Sequence, residues 1–310
     1  MTNRAFQYLC IGLVLCGLAS ANSPGQDPAK PAAPDPSAAA KQGLALAAKG
    51  QCKEALPLLK KSTARATDKR LKYDAAMALS RCGMSLEQTE TAVQALLLLN
   101  REFPHDPEVL YTTTHFYSEL ASRAAQDLAA TAPTSAQAGQ LEAEAFESKG
   151  EFDSAIAQYR KVLVQNPQMR GIHFRLGRIY LTKTPASDDD ARKEFEAELK
   201  IDPANASAEF MLGEMARQAG QWDEASDRFA KASKLDEGFV EAYLALGMSR
   251  NSAGKFADAV APLENYVKMQ PGDPAGHYQL ATAYARTGRK QDADREMALQ
   301  RQASEKTPRN

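Results

Sequence analysis

The sequence predicts an all-α fold, a right-handed α-α solenoid made of stacked helix-turn-helix repeats. Small residues recur in one register through the C-terminal half of the chain, in three separate columns. The alanine column, with steps of 34 residues, contains Ala191, Ala225, Ala259 and Ala293. The turn-glycine column contains Gly220, Gly254 and Gly288. The third column is a leucine followed by a small residue, at Leu176-Gly177, Leu212-Gly213, Leu246-Gly247 and Leu280-Ala281. Because one amphipathic helix pair cannot bury its apolar face alone, such copies indicate a stack.

Each repeat is predicted to contain two helices joined by a tight turn. In residues 239–273, apolar side chains return at helical spacing on both sides of Gly254. Pro271 ends the second helix, because proline lacks the amide hydrogen that a helix interior requires. Gly247 and Ala259 place small residues where two antiparallel helices approach closely. The pattern is therefore that of a helical hairpin.

The first segment, 1–21, is predicted to be a secretory signal peptide that is cleaved after Ala21. Arg4 precedes an apolar run from about Tyr8 to Leu18, and small residues follow it. The run is shorter than the roughly 20 residues of a transmembrane helix. We therefore expect a periplasmic or secreted protein, without stable membrane insertion once the signal is removed. A retained N-terminal membrane anchor is the alternative.

The segment 22–40 is predicted to be a disordered spacer, because proline and alanine dominate it and no apolar period is present. Divergent repeats are predicted at 41–135. The first begins near Ser37 and keeps four register residues, Gly43, Gly50, Ala55 and Leu59. The second lacks the turn glycine but keeps Ala92, Leu96 and Pro104. Segment 107–133 is helical in composition, and both a shortened repeat and one bent helix remain open for it.

The regular array at 136–301 resembles the tetratricopeptide repeat (TPR) family. That family pattern is a helical hairpin with a Leu-Gly pair, an aromatic residue, a turn glycine, an alanine, a second aromatic residue and a closing proline. The best copy, "GEFDSAIAQYRKVLVQNP", carries Gly150, Ala155, Tyr159 and Pro167. Further copies are marked by Ala191 with Phe195, Ala225 with Phe229, Ala259 with Pro271, and Tyr284 with Ala293. The resemblance implies about seven repeats, followed by a polar tail at 302–310.

The lone tryptophan, Trp222, falls in a repeat column with Cys52, Phe152 and Phe256. This register favours a packing role between repeats over a ligand-binding role, because large aromatic side chains bury most area at such junctions.

Four cysteines are present, and two of them leave with the predicted signal peptide. The mature chain keeps Cys52 and Cys82, an even number that permits one disulfide in an oxidising compartment. Cys52 starts the second helix of one repeat, and Cys82 lies near the end of the next repeat's first helix. We predict that these helix ends are adjacent and that the two cysteines are bridged. Two buried free thiols are the alternative.

No motif for catalysis or for cofactor or metal binding accompanies the repeats. The four histidines lack metal-ligand spacing, and no Cys-x-x-Cys pair, nucleophile elbow or phosphate-binding loop is present. His173 and His277 share one repeat position and are predicted to pack structurally. The formal net charge of −1 gives no basic field for nucleic acid. We therefore predict a protein that is not an enzyme and binds neither cofactor, metal nor nucleic acid.

The resemblance implies that the first helix of each repeat lines a concave groove for a protein partner. Carrying the family's groove positions onto this sequence selects Phe174, Arg178, Phe210, Glu214, Arg217, Leu244, Met248, Asn251, Tyr278 and Arg286. Aromatic residues, arginine and methionine are enriched at protein interfaces. The Lys-Asn-Arg clamp by which chaperone-docking members hold a C-terminal carboxylate is missing here.

The predicted function is that of a protein-interaction scaffold of the cell envelope, which binds a segment of a partner in this groove. Two alternatives remain. One is an accessory subunit or domain of an envelope enzyme or of a secretion or pilus assembly complex, and the other is a self-associating structural protein that forms homo-oligomers.

Overall fold

The structure is a computed structural model that describes residues 36–306. The predicted signal peptide, its cleavage site at Ala21 and most of the predicted spacer lie outside the described residues. Within the described range the regular elements are fifteen α-helices and one 3₁₀ turn, Thr63–Arg65. The predicted all-α fold is confirmed for this part of the chain.

The helices have the following bounds in chain order: α1 Pro36–Ala48, α2 Cys52–Ser62, α3 Lys69–Ser85, α4 Thr89–Glu102, α5 Pro107–Thr131, α6 Ala136–Ser148, α7 Phe152–Gln165, α8 Ile172–Thr182, α9 Asp188–Ile201, α10 Ala206–Gln218, α11 Trp222–Leu235, α12 Val240–Ser252, α13 Phe256–Met269, α14 Pro274–Arg286 and α15 Lys290–Lys306.

Fourteen of these helices form seven packed pairs, which are the repeats: α1/α2, α3/α4, α6/α7, α8/α9, α10/α11, α12/α13 and α14/α15. Helix α5 is a single helix of 25 residues. Segment 107–133 is therefore one helix and not a helix pair. The chain divides into two compact units, one ending at Leu120 and one starting at Ala121. We call residues 36–120 the N-terminal unit and residues 121–306 the array unit.

The pairs α8/α9 and α10/α11 of the array unit are held together by aromatic rings that pack against glycine. Phe195 and Phe229 are fully buried. A Cβ atom on Gly177 would lie 2.6 Å from Cε1 of Phe195, and one on Gly213 would lie 2.7 Å from Cε1 of Phe229. Any larger residue would collide with the ring, so the Leu-Gly column follows from close helix packing.

Six of the seven turns inside the pairs contain a residue with a left-handed backbone, which glycine adopts without steric cost; the turn between α8 and α9 is the exception. Gly220, Gly254 and Gly288 have φ values of 73°, 74° and 81°. The second repeat has Glu87 at the equivalent position, with a φ of 56°. The residues of the predicted glycine column therefore share a left-handed backbone conformation, and in one repeat a non-glycine residue, Glu87, adopts it.

Two predicted boundaries differ from the observed ones. Helix α1 starts at Pro36, so the last five residues of the predicted spacer are helical, and Ala40 is fully buried in the first core cluster. Helix α15 continues to Lys306, so the predicted polar tail starts inside a helix, where Ala303 is buried. In both places a buried alanine lies in the part of the helix that extends beyond the sequence pattern.

Trp222 is more exposed than a packing residue should be. It starts α11 with 37% of its surface accessible, whereas Phe229 on the same helix is fully buried. Phe152 and Phe256, which start α7 and α13, are half-buried. Between residues 36 and 306, every helix is too short or too polar to span a lipid bilayer.

Candidate functional site

A groove on the first helices lies in the N-terminal unit, and we call it the first-helix groove. It has a volume of about 600 Å³ and is bounded by α1, α3 and the start of α5. Its apolar and small lining residues are Leu44, Ala47, Ala48, Met77, Ala78 and Ser85. Since the inner surface is mostly apolar, the groove is suited to an apolar segment.

The charged residues of this groove are paired with each other or with neighbours. Arg81 Nη2 lies 2.8 Å from Glu108 Oε1, which joins α3 to α5. Asp74 Oδ2 lies 3.2 Å from Arg70 Nε on α3. These pairs neutralise the rim, so the groove offers little net charge to a ligand.

A disulfide forms part of the wall of the first-helix groove. The sulfur atoms of Cys52 and Cys82 are 2.05 Å apart, and their Cα atoms are 5.1 Å apart. The bond joins the first residue of α2 to the last part of α3, which is the helix adjacency that the register predicted. Cys82 is 2% exposed and belongs to the first core cluster.

The predicted aromatic and aliphatic groove residues of the array unit mainly support its core. Phe210 packs between Phe229 and Phe239, with ring centroids 5.2 and 4.8 Å away. Phe174 lies 5.6 Å from the Phe195 ring. Leu244 packs against the core cluster of α13 to α15, and Met248 is half-buried. Each of these side chains keeps only part of its surface for a ligand.

The predicted polar groove residues are also engaged inside the protein. Arg217 Nη2 lies 2.7 Å from Glu214 Oε2, and this hydrogen bond raises the pKa of the Arg217 guanidinium. Asn251 donates Nδ2 to the carbonyl oxygen and to Oε1 of Gln279, both at 3.0 Å. That pair of bonds connects α12 to α14.

Three predicted groove residues remain open to solvent. Tyr278 is 53% exposed, and Arg178 and Arg286 are exposed as well. The Arg286 guanidinium lies 4.8 Å from the centre of the Phe256 ring, a cation–π contact that fixes its direction. The ten predicted residues are therefore one set of repeat positions but not one uniformly free surface, and their binding role stays a prediction.

Charged side chains fill the space between neighbouring repeats of the array unit. Arg160 on α7 pairs with Glu194 on α9, whose carboxylate also meets His173 Nδ1 at 2.6 Å. Lys255 Nζ on the loop before α13 lies 2.9 Å from Asp223 Oδ1 on α11. These pairs link residues about one repeat apart in sequence, so they fix repeat stacking.

The histidines have structural surroundings. His277 is 4% exposed, with Nδ1 2.6 Å from Glu296 Oε2 and Nε2 3.1 Å from the Pro271 carbonyl oxygen. His173 contacts Glu194 in the equivalent way. No group of three or more His, Cys, Asp or Glu in residues 36–306 could hold a metal ion.

Tyrosine hydroxyls and one buried glutamate complete the internal polar network. Tyr159 is fully buried and donates to Glu147 Oε2 at 2.8 Å; burial, helped by this bond, raises the pKa of its hydroxyl. Glu198 is also fully buried and accepts from the backbone N–H groups of Gly171 at 2.7 Å and Phe174 at 3.2 Å. A carboxylate of α9 thus caps the start of α8.

The first-helix groove was missed by the sequence analysis, although its signal was present. Leu44 and Arg81 occupy the same repeat position as Glu214 and Met248. Each of the four residues lies 11 residues before the column alanine of its repeat. The same positional rule therefore selects residues of this groove. The repeat pattern is weaker upstream of residue 136, so the rule is less specific there.

Comparisons with known proteins agree with the repeat architecture. The sequence profile of the tetratricopeptide repeat family matches residues 40–107, 141–206, 189–238, 210–274 and 244–296. No curated protein sequence matches the chain. The solved structure of YrrB, "a TPR protein with an unusual peptide-binding site", is 21% identical over 59% of this chain and 93% of its own, with a TM-score of 0.51. This likeness shows a shared fold.

Two further solved structures are more distant in shape. The MamA protein is 24% identical over 55% of this chain and 92% of its own, with a TM-score of 0.49. PilF of Pseudomonas aeruginosa is 20% identical over 56% of this chain and 78% of its own, with a TM-score of 0.44.

Proposed function

The chain belongs to the tetratricopeptide repeat family, and on that premise we propose that it is a non-enzymatic scaffold that holds an apolar segment of a partner protein in the first-helix groove. The repeats support a protein-interaction scaffold. The observation that carries the finer proposal is the groove of about 600 Å³, with its apolar floor and internally paired charges. Binding of an apolar segment there carries little desolvation cost, since no unpaired charge has to be buried.

The predicted groove residues of the array unit, which we call the array face, contribute a second contact area to this function. Arg178, Tyr278 and Arg286 are its exposed members. Arginine and tyrosine bind through both apolar area and hydrogen bonds, which is why they are common at interface hot spots. Each face is tested separately, because a partner that uses one of them need not use the other.

We place the protein in the cell envelope in this proposal. Disulfides persist in oxidising compartments such as the periplasm, and the structure has Cys52 bridged to Cys82. The predicted signal peptide supports the same compartment. Cell fractionation with mass spectrometry of the N terminus tests this directly. A chain that starts at Asn22 in the soluble envelope fraction supports export, and an intact Met1 chain in the membrane fraction supports the anchored alternative.

Photocrosslinking in the native cell tests the groove. A photoreactive phenylalanine is placed either at Ser85, in the first-helix groove, or at Tyr278, on the array face; each position should capture its own specific protein reproducibly. Val164, 83% exposed on α7, is the control position and should capture nothing specific. Equal capture at all three positions, or capture at Val164 alone, would contradict the proposal.

A plugging substitution adds an affinity measurement once the partner captured at Ser85 is purified. Ala48 is exposed and lines the groove, so Ala48→Arg fills the groove without disturbing the core. We expect at least about a ten-fold loss of affinity, the equivalent of about one buried aliphatic side chain. Ala261→Arg, an exposed alanine on α13, is the matched control and should bind normally. Partner binding that withstands Ala48→Arg contradicts a role for this groove.

A further inference from the structure

The N-terminal unit has a second groove, most of whose lining comes from the second helices, α2 and α4. It has a volume of about 530 Å³, and α2, the 3₁₀ turn, α3 and α4 line it. We call it the second-helix groove. Leu79 on α3 lines it, whereas Met77 and Ala78 on the same helix line the first-helix groove. The two grooves therefore lie on different faces of α3, and a ligand in one leaves the other accessible.

Exposed leucine marks the second-helix groove. Helix α4 contains the run Ala95-Leu96-Leu97-Leu98-Leu99. Leu96 and Leu99 are fully buried, which a helix achieves by turning one face to the core. Leu97 then points outward and is 58% exposed, while Leu98 is half-buried at the groove. The core therefore does not account for Leu97.

The repeat register shows that Leu97 is unusual within this chain. The residue after each main core position of a second helix is Lys60, Arg160, Glu196, Ala230, Glu264 or Ala298 in the other six repeats. All of these are charged or small. A large apolar side chain at this exposed position lowers solubility and contributes no core packing. A partner that covers Leu97 would remove this apolar surface from water.

The charged side chains that line the second-helix groove are both cations. Lys60, on α2, has no ion-pair partner among the described residues and is exposed. Arg101, on α4, lies 3.6 Å from Glu102, a carboxylate that also pairs with Lys72 at 3.3 Å. Segment 52–65 adds to this charge, with Lys53, Lys60, Lys61 and Arg65 against a single acid, Glu54.

From this geometry we propose that the second-helix groove docks an acidic amphipathic helix of a partner protein. The apolar stripe of that helix covers Leu97 and Leu98, and its carboxylates flank Lys60 and Arg101. Helix-in-groove docking suits this surface, because α4 has 14 residues and so offers about 21 Å of length, nearly four helical turns. This inference goes beyond the proposed function, which concerns the first-helix groove.

Other anionic macromolecules fit the surface less well. Nucleic acid and anionic membrane surfaces are held by fields of many cations, whereas two cations line this groove and its centre is apolar. An acidic amphipathic helix, which carries carboxylates beside leucines, matches a groove with an apolar centre and two cations.

A designed peptide tests the chemistry without knowledge of the partner. The probe is a fluorescein-labelled helical peptide of about 18 residues, five turns, with one leucine stripe flanked by glutamates. Its counterpart has lysine in place of each glutamate. Fluorescence anisotropy with the full chain should show about ten-fold tighter binding of the acidic peptide, and raised salt should weaken that binding.

Groove variants give the decisive comparison. Leu97→Ser should weaken the acidic peptide about ten-fold, because one buried leucine contact is lost. Lys60→Glu combined with Arg101→Glu should reverse the preference, so that the lysine peptide binds more tightly. The matched controls are Val164→Ser, for an exposed apolar residue on α7, and Lys161→Glu combined with Lys200→Glu, for exposed lysines on α7 and α9. Binding should be unchanged in both controls, and circular dichroism checks that every variant folds.

Three results would overturn the inference. The first is equal binding of the acidic and lysine peptides. The second is binding that withstands Leu97→Ser and the double charge reversal, or that Ala48→Arg in the first-helix groove abolishes. The third is charge-dependent binding to vesicles of equal parts phosphatidylcholine and phosphatidylserine with no peptide binding, which assigns the surface to membranes. Since Ala48→Arg and Leu97→Ser lie on different grooves, failure here leaves the first-helix proposal standing.

Discussion

The two units use the same helical hairpin but fill its interior differently. In three of the five repeats of the array unit, the main core position of the second helix is a fully buried aromatic residue: Tyr159, Phe195 or Phe229. The last two repeats have Leu263 and Met297 there. In the N-terminal unit that position holds leucine, at Leu59 and Leu96. The N-terminal unit has grooves of about 600 and 530 Å³, whereas a cavity between α9 and α10 in the array unit measures about 240 Å³. Large aromatic residues consume space that smaller residues leave at the surface.

The two units also differ in what fixes one repeat against the next. The array unit uses ion pairs between residues about one repeat apart, such as Arg192 with Glu224 at 3.1 Å. The N-terminal unit uses the Cys52–Cys82 bond between its first two repeats. A covalent link holds irregular repeats together without requiring their surfaces to be complementary. The same helical hairpin can therefore either pack regularly with its neighbours, as in the array unit, or leave open grooves between helices, as in the N-terminal unit.

Loss of the disulfide should have the largest effect, and only on the N-terminal unit. Cys52→Ala with Cys82→Ala should lower the free energy of unfolding by about 3–4 kcal/mol, because a loop with a sequence separation of 30 is released in the unfolded chain. Hydrogen exchange of α1–α4 amides measures this loss. Trp222 fluorescence reports the array unit and serves as the internal control. Unchanged exchange in α1–α4 would show that packing alone holds this unit.

A methyl group added at a close-packed glycine should have the next largest effect, and a larger one in the array unit than in the N-terminal unit. Gly213→Ala should lower the free energy of unfolding by about 1–3 kcal/mol, because its Cβ would lie 2.7 Å from a rigid Phe229 ring. Gly43→Ala meets the side chain of Leu59 at 2.8 Å, and a leucine can rotate away. We expect Gly43→Ala to cost less than Gly213→Ala in urea unfolding. The reverse order would refute the difference in core rigidity.

Exchanging turn residues should have a smaller effect, with opposite signs in the two units. Gly254→Glu should lower the free energy of unfolding by about 1–2 kcal/mol, since a side chain there raises the energy of the left-handed backbone. Glu87→Gly should raise it by about 0.5–1 kcal/mol for the same reason. Thermal unfolding followed by circular dichroism gives both values. A loss of stability in Glu87→Gly would mean that the side-chain contacts of Glu87 outweigh backbone strain.

Acid should weaken both units slightly, through different carboxylates. The Val109 backbone N–H donates to Asp106 at 3.0 Å and lowers the pKa of that carboxyl in the N-terminal unit. The Ser187 hydroxyl lowers the pKa of Asp190 in the array unit in a similar way. A depressed folded-state pKa stabilises the fold above the unfolded value of about 3.9, and this contribution is lost as pH falls through the folded value.

Asp106→Asn and Asp190→Asn should therefore each reduce the loss of stability below about pH 4 in their own unit. Unfolding in urea at several pH values, read by hydrogen exchange of α3–α5 and of α9, measures the two slopes. A slope that is the same in Asp106→Asn as in the parent protein would show that other groups control the acid response.

Much of the fold follows from the sequence, because repeat geometry repeats the same local physics. The columns of Ala225 and Gly220 set close contacts and turns, and a helix pair needs no information from elsewhere in the chain. The same register placed Cys52 beside Cys82. The grooves follow only in part. The repeat register points to Leu44 and Arg81, but the volume of a groove depends on the size of residues across several helices.

Polar contacts between residues far apart in the chain also could not be predicted from the sequence. Glu198 would ordinarily be assigned to the surface, yet it is fully buried and caps a helix that starts 26 residues earlier in the chain. The packing role of Trp222 stays a prediction. Trp222 is 37% exposed, and the other members of its column, Cys52, Phe152 and Phe256, also start helices and are half-buried.

The Cys52–Cys82 bond has a consequence for how the chain responds to cleavage. It closes residues 52–82 into a covalent ring that contains the exposed Arg65 of the 3₁₀ turn. A trypsin cut after Arg65 opens the ring but leaves both fragments joined through sulfur. The nicked protein then separates into two pieces on a denaturing gel only after reduction, so an electrophoretic pattern alone records whether the ring was closed when the chain was cut.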